Sequence, residues 1–524
     1  MARSQSIGCR TARFARFGWL LSCVHILACD GAAPPSALVD PAPEAGFIEL
    51  EPLAYKVHGA EYSLDATTSA ARLFYLYQPA EVDSENKPLI VLHSGGPGAS
   101  TAILIGGNTA PLSLDPARTQ SFSSNPATWT RFANLLYIDA RGTGFSYGIV
   151  EGATDPDVVS GEFSVRNFNT FVDAADLIRV VFAFVDARPS LVSKPIWLAG
   201  ESYGGVRQNV ALHMLLNPQA YGANGVLFEC EALAERIESH FEQAGTLAKE
   251  QFDRAIFLQP RITSPEQQAA AGADLEGPTS PLYKVAEETG VPFVPCADKP
   301  PPCHSFANVV AFLEAAGRDI YDFRKPVGDA FAKYKTVGDR IEDPLVFESI
   351  TATKPGDIAD LTPARRLDAY RVKSAGSQNE PFTKVLGALN PHDRYFEVEL
   401  FDLLGAPFSG AEATGLGIER QNSRYGALFL ENALSVKFFI TNAAFDAAIW
   451  TPALPAALQM YTNIVSSVHI AGSNELVIEY ASGAFGNADA VSRSVAFFSY
   501  AESGHSVSFD EPDKIANDLA QWAP

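Results

Sequence analysis

From about residue 47 the chain repeats one pattern: a short apolar run, a glycine-rich or polar turn, then a stretch with helical spacing. Arg72–Tyr77 (RLFYLY), Pro88–His93 (PLIVLH), Ala133–Asp139 (ANLLYID) and Pro195–Ala199 (PIWLA) have strand length. Phe168–Arg188 and Val206–Leu216 have apolar residues at helical spacing. Repeated strand–loop–helix order predicts the α/β class: a mainly parallel sheet with helices on both faces.

Residues 226–430 read differently. Long helical stretches such as Cys230–Gln251 alternate with polar, proline-rich loops such as Asp298–Pro302. We expect most of this segment to be a large inserted, mostly helical cap, interrupted by one core strand at 254–258 (RAIFL). The sheet pattern returns at Ser435–Ile440 and Val495–Tyr500, and the chain ends on a helix, Asp513–Trp522. The expected catalytic core is therefore 48–225 together with 431–524.

The first 47 residues read as an address and a tether. Arg3, Arg10, Arg13 and Arg16 make a basic region ahead of a short apolar run, Phe17–Ala28, which ends Ile26-Leu27-Ala28-Cys29. This resembles a bacterial lipoprotein signal spanning residues 1–29, with Cys29 as the lipidated residue. The alternatives are plain secretory cleavage and a retained N-terminal anchor. Residues 30–47 are rich in Ala and Pro and read as a flexible tether. The expected location is outside the cytoplasm, on a lipid anchor or secreted. The only expected membrane contact is through that anchor.

Charge narrows the partners. A formal net charge of −22 over 524 residues repels polyphosphates, so no nucleic-acid partner is expected. Six cysteines are present, three of them in the leader. In an oxidising compartment a disulfide is expected among Cys230, Cys296 and Cys303, with the pairing open. Cys296, Cys303 and His304 also group as metal ligands. No fourth ligand stands at a recognisable spacing, so no metal and no cofactor are expected.

Two pentads match the G-x-S-x-G pattern: Gly200–Gly204 (GESYG) and Gly144–Gly148 (GFSYG). A nucleophile elbow needs a strand running into the serine and a helix leaving it. Ser202 has both flanks. Ser146 has loop on both sides and reads as a turn residue. A serine nucleophile also needs a base and an orienting acid, in the order Ser, acid, His. His505 lies in a loop after an apolar strand, where such a base belongs. His469 lies inside a strand-like run and reads as a packed or edge-strand residue. Asp446 follows the strand VKFFI through a short loop, unlike Asp402 and Asp489. The run Ser94-Gly95-Gly96-Pro97-Gly98 after the strand PLIVLH supplies a glycine loop for an oxyanion hole.

Together these segments resemble the serine carboxypeptidase family, of the α/β-hydrolase fold, in an exported bacterial-type form. The family's N-G-G-P-G-C-S appears as Ser94–Ser100 (SGGPGAS), its D-x-x-G-T-G-F-S-Y as Asp139–Tyr147, and its G-E-S-Y-G/A-G as Gly200–Gly205. Its G-H-x-V-P-x-D-x-P appears as Gly504–Pro512 (GHSVSFDEP). The resemblance covers about 50–260 and 431–524. It implies a peptide substrate, an acyl-enzyme on Ser202, and oxyanion donors at the N–H groups of Gly96 and Tyr203. It also implies that Glu201 reads the substrate's C-terminal carboxylate, with Ser94, Gly95 and Asn108 lining that subsite. Ser94 replaces the family's Asn, Ala99 its Cys, and Asn108 stands where a second Glu falls. The loop Asp139–Gly144 (DARGTG) is also similar to the D-x-R-G-x-G of proline iminopeptidases. An aminopeptidase of that type, an esterase or an acyltransferase is therefore the alternative. A non-catalytic surface lipoprotein is a third reading, which the triad and the oxyanion loop disfavour.

Overall fold

The computed structural model describes residues 42–58, 63–114, 122–152, 166–263, 265–330, 332–361, 370–373, 380–381, 425–483 and 490–523. Cys29, the leader and the first part of the tether lie outside the described residues.

Among the described residues the main sheet has 13 strands. In chain order they are β1 (Glu44–Leu50), β2 (Ala70–Gln78), β3 (Leu89–His93), β4 (Asn134–Ile138), β5 (Tyr147–Glu151), β6 (Ile196–Glu201), β7 (Arg254–Leu258), β8 (Tyr370–Lys373), β9 (Glu380–Pro381), β10 (Lys437–Ala443), β11 (Val465–Ala471), β12 (Glu475–Tyr480) and β13 (Val491–Tyr500). Their spatial order is β9-β8-β5-β2-β4-β3-β6-β7-β10-β13-β12-β11, with β1 paired to β2. The six strands from β4 to β13 run parallel. The hairpin β11–β12 is antiparallel and closes one edge. This is the α/β-hydrolase fold.

Period-2 alternation places side chains on opposite faces of each strand. Leu89 and Val91 of β3 and Ile196 and Leu198 of β6 point into one core. There they meet α1 (Thr170–Asp186) and α2 (Gly204–Leu216). Ile90, Leu92, Trp197 and Ala199 point into the other. Both sides of these strands are dry, so they read as continuous apolar runs.

The inner boundaries differ from those read in the pattern. Helix α3 (Glu231–Ala244) buries Leu233 and Ile237 in the first core. The chain leaves the sheet only after β7, which lies between β6 and β10. α3 exposes Glu231, Glu235, Glu238 and Glu242 around a narrow apolar face. Beyond β7 come α4 (Pro265–Leu275), α5 (Leu282–Thr289) and α6 (Ser305–Ala315). These pack with Ala447, Trp450 and Ala453 in a third cluster. Next, α7 (Ala332–Ile341) and α8 (Pro344–Thr351) bury Val337, Ile341, Phe347 and Ile350 in the second core. Helix α9 (Tyr425–Asn432) returns against α2, and Asn432 donates its amide to Asn209. The C-terminal helix α10 spans Pro512–Trp522. The expected tether also ends early. β1 begins at Glu44 because Ala45 is buried and the Glu44 carboxylate accepts from Arg188 at 2.7 Å.

Candidate active site

The site lies where β3, β6, β7, β10 and β13 end. Parallel strands finish together at one edge, and connections leaving that edge carry chemistry in such folds.

Ser202 stands between β6 and α2 with φ +58°. A non-glycine residue held there costs of order 1–3 kcal/mol, so its surroundings must over-determine it. Its N–H donates to Leu258 O, and its carbonyl accepts from Gly205 N–H and Arg261 N–H, each at 2.9 Å. The turn is tied to the strand on one side and to the helix on the other. This is the strand–turn–helix geometry of a nucleophile elbow.

The glycine loop after β3 presses against that turn. A Cβ on Gly95 would lie 2.7 Å from Ser202 Cβ and 2.9 Å from Tyr203 N, so only glycine fits. Two bonds orient the loop. Arg207 of α2 donates Nη1 to Ser94 O at 2.6 Å, and Ala99 N–H donates to Gly95 O at 3.3 Å. In a trans peptide the carbonyl and the next N–H point in opposite directions. The N–H groups of Gly95 and Gly96 are thus turned away from Arg207 and Ala99.

Arg207 is itself buried and fixed. Its Nε donates to Asp173 Oδ2 at 2.7 Å, and Nη1 also faces His93 Nδ1 at 3.2 Å. A guanidinium only donates, so His93 Nδ1 accepts and the ring is neutral with its proton on Nε2. Burial, reinforced by the Arg207 charge, drives the His93 pKa well below the ordinary histidine value. Burial pushes the Asp173 carboxyl up, and Arg207 offsets part of that rise.

Asp446 follows β10 and is fully buried. Its Oδ1 accepts from the N–H groups of Ala448 and Ile449 at 3.0 and 3.1 Å. Its Oδ2 accepts from Gln259 Nε2 at 3.0 Å and meets His505 Nδ1 at 2.7 Å. The carboxylate can only accept, so His505 Nδ1 carries the hydrogen. In the neutral ring Nε2 is then the basic nitrogen, the tautomer a general base requires.

The structure thus brings Asp446 and His505 into contact, and Gly95 and Tyr203 to the Ser202 turn. Glu201, the last residue of β6, is buried, and its Oε1 accepts from Ser506 Oγ at 3.1 Å. Asn108 has φ +69°, and its Nδ2 donates to Ser508 O and Phe509 O, both at 3.4 Å. The amide holds the turn after His505, while Ser506 faces Glu201. Ser146 is a turn residue: its Oγ donates to Asp139 O and accepts from Phe74 N–H, each at 2.8 Å. His469 lies exposed on the edge strand β11. Cys296 and Cys303 form a disulfide, which occupies both thiols of the alternative metal grouping, and Cys230 is free and buried.

Four residues at the site escaped the sequence reading. Gln259 directly follows a core strand at the site's edge, a position that was a usable signal. Arg207 is a charged residue in the helix VRQNVALHMLL, also a signal. Ser506 neighbours His505. Tyr321, whose carbonyl oxygen accepts from His505 N–H at 2.8 Å, had no signal at all.

The serine carboxypeptidase family model matches residues 55–224. Carboxypeptidase sxa2 of Schizosaccharomyces pombe is 34% identical over 148 residues, 28% of this chain and 26% of that protein. Serine carboxypeptidase-like 44 of Arabidopsis thaliana is 29% identical over 177 residues, 33% of this chain and 34% of that protein. The matches therefore span between a quarter and about a third of those relatives' lengths. Among solved structures, the prohormone-processing carboxypeptidase Kex1 from Saccharomyces cerevisiae aligns over 92% of this chain and 91% of its own, at 14% identity and a TM-score of 0.46.

Proposed function

We propose, from the premise that residues 55–224 carry the serine carboxypeptidase family's sequence, that this protein is an exported serine carboxypeptidase releasing C-terminal residues from peptides. The observation that carries the reading is the 2.7 Å contact between His505 Nδ1 and Asp446 Oδ2, on loops at the same sheet edge as the strained Ser202 turn. In the proposed reaction Ser202 Oγ attacks the last peptide carbonyl, and His505 Nε2 takes its proton. The oxyanion is met by the N–H groups of Gly96 and Tyr203. The C-terminal amino acid leaves with the proton returned by His505. Water then opens the acyl-enzyme by the same steps. Asp446 holds the His505 tautomer throughout.

Glu201, buried at the elbow, is the proposed reader of the substrate's terminal carboxylate, with Ser94, Gly95 and Asn108 around that subsite. Two ionised carboxylates at about 4 Å repel by roughly 4 kcal/mol at an effective dielectric near 20, so Glu201 must read it protonated. Export on a lipidated Cys29 belongs to the same proposal, and the Cys296–Cys303 disulfide suits an oxidising compartment. Mass spectrometry of membrane-extracted protein should find an acylated Cys29.

The activity test is kcat/KM for one peptide as free acid and as C-terminal amide, from about pH 4 to about pH 8. Free-acid hydrolysis should be best in mildly acidic solution and fall as pH rises, while the amide rate persists upward. Coincident profiles with no preference for the acid would exclude a carboxypeptidase and leave an esterase or aminopeptidase.

A further inference from the structure

We propose that the short segment Ile320–Lys325, far in sequence from Ser202, Asp446 and His505, is a strap that sets the register between the Asp446 loop and the His505 loop, with Asp322 as its key positioning residue. The proposal rests on the reading of those three residues as an acyl-transfer site.

The strap touches both loops through its backbone. Ile320 O accepts from Ala447 N–H at 2.9 Å and from Ala448 N–H at 3.1 Å, both just after Asp446. Phe323 N–H donates to Phe445 O at 3.1 Å. One residue along, Tyr321 O accepts the N–H of His505 itself at 2.8 Å. Arg324 Nη1 donates to Glu502 O at 2.7 Å. Asp446 is thus flanked by three strap bonds, and His505 is tied by its own amide and by the loop that carries it. The strap is also in van der Waals contact with both loops. A Cβ on Gly504 would lie 2.6 Å from Asp322 Cβ and 2.8 Å from Tyr321 O, so the residue before His505 must be glycine for the strap to lie down. The Tyr321 ring stands edge-on to the His505 ring at 5.1 Å, and Phe323 packs edge-on to Phe445 at 5.5 Å.

What holds the strap in this shape is a pair of buried carboxylates. Asp319 Oδ1 accepts from Tyr321 N–H at 2.9 Å, and its Oδ2 accepts from Gly328 N–H at 2.8 Å. The Asp322 side chain is 1% exposed. It accepts from Arg324 Nε and Nη2, both at 2.8 Å, and from Lys325 Nζ at 2.7 Å. Asp322 thereby aims Arg324, and Arg324 reaches Glu502 O and lies over the Phe445 ring at 4.3 Å. One side chain, held at 2.8 Å by Asp322 and more loosely flanked by Glu502 at 3.8 Å and Asp510 at 3.7 Å, spans both loops. A contact of 2.7 Å between acid and base is lost with small relative shifts, and misplacement of about 1 Å at a reacting centre costs about 10²-fold in rate.

The test uses the full-length protein and two readouts indifferent to peptide specificity: the second-order rate of fluorophosphonate labelling and p-nitrophenyl acetate turnover. Asp322→Ala should lower both by about 10- to 100-fold, through kcat with KM within about threefold. Asp322→Asn, which keeps the shape and loses the charge, and Arg324→Met, which cuts the reach to Glu502, should do so to a lesser degree and serve if Asp322→Ala does not fold. In an Asp446→Ala background the strap has no acid left to place, so adding Asp322→Ala should cost under about threefold more. Equal costs in both backgrounds, or folded variants that label at the wild-type rate, would overturn the strap alone. Wild-type protein that takes no label would overturn the serine-hydrolase reading and the strap with it.

Discussion

Arg207 gives a guanidinium hydrogen to the carbonyl oxygen of Ser94 at 2.6 Å, beneath the glycine loop and in the first turns of the helix that leaves Ser202. Ser202 and the glycine loop are therefore indexed to the same helix. Losing an oxyanion donor outright costs about 10²- to 10³-fold in kcat, and misaiming one costs part of that. Arg207→Lys should lower kcat by roughly 10- to 100-fold with KM nearly unchanged, because a point ammonium cannot serve Ser94 and Asp173 in the fork geometry. Steady-state kinetics on an activated ester decides it. A rise in KM at constant kcat would mean that Arg207 shapes binding and leaves the oxyanion loop alone.

The two serines of the two matching pentads should behave oppositely. Ser202→Ala should abolish fluorophosphonate labelling. Ser146→Ala leaves Asp139 O and Phe74 N–H short of a partner, and should cost about 1–3 kcal/mol of stability while keeping the label. Mapping the labelled peptide by mass spectrometry checks both. Label on Ser146 would reverse the assignment.

Ser506 donates its hydroxyl to Glu201, which favours the charged carboxylate. Ser506→Ala removes that bias. The fall of free-acid hydrolysis with rising pH should then move to higher pH, while the amide profile stays in place. A bond to a charged acceptor is worth about 1.5–3 kcal/mol, so at the pH where the wild type is losing activity the gain should be roughly 10-fold. Unmoved free-acid profiles would separate Glu201 from carboxylate reading.

His93 makes stability depend on pH. Burial and Arg207 hold its folded pKa well below the ordinary value of 6.5. The unfolded chain therefore binds a proton that the folded one refuses. As pH falls below about 6.5, stability should fall by at most about 1.4 kcal/mol per pH unit from this group. Asp139 and Asp173, pushed up by burial, act in the other sense: their contribution is complete below the ordinary carboxylate range and is lost as pH rises. His93→Gln keeps an acceptor for Arg207 and removes the titration. The drop in Tm between about pH 7 and about pH 5 should shrink in that variant. Parallel Tm curves would show that His93 does not titrate on unfolding.

Elements that are apolar on both faces were legible in the chain. β3, β4, β6, β7 and the start of β10 lie where their apolar runs stand, because a strand between two helical layers has no polar side to confuse the pattern. The positions of Ser202, Asp446 and His505 at the sheet edge were legible because Ser202 directly follows a recognisable strand and the other two follow one across a short loop. The inner boundaries were not. Helix α3 buries one stripe beneath many charges, and its neighbours in space are invisible to local periodicity. The residues around Asp446 and His505 were also hidden. Tyr321 acts through a backbone carbonyl, which every residue has. Asn108, read as a lining residue by its place in a motif, sends its amide to the carbonyls of Ser508 and Phe509, a relation between segments that no spacing encodes.

The parallel pairing of β7 with β10, Ile256 opposite Phe439, joins strands separated by the whole inserted segment. Closing so long a loop is entropically slow, and the ribosome imposes the same order. The elbow, the glycine loop and Arg207 belong to the first half of the chain. Asp446 and His505 come only after the insertion. A growing polypeptide therefore carries Ser202 through the synthesis of the whole inserted segment before Asp446 and His505 exist. On the proposed reading, a chain interrupted within the inserted segment would hold the elbow with neither its acid nor its base.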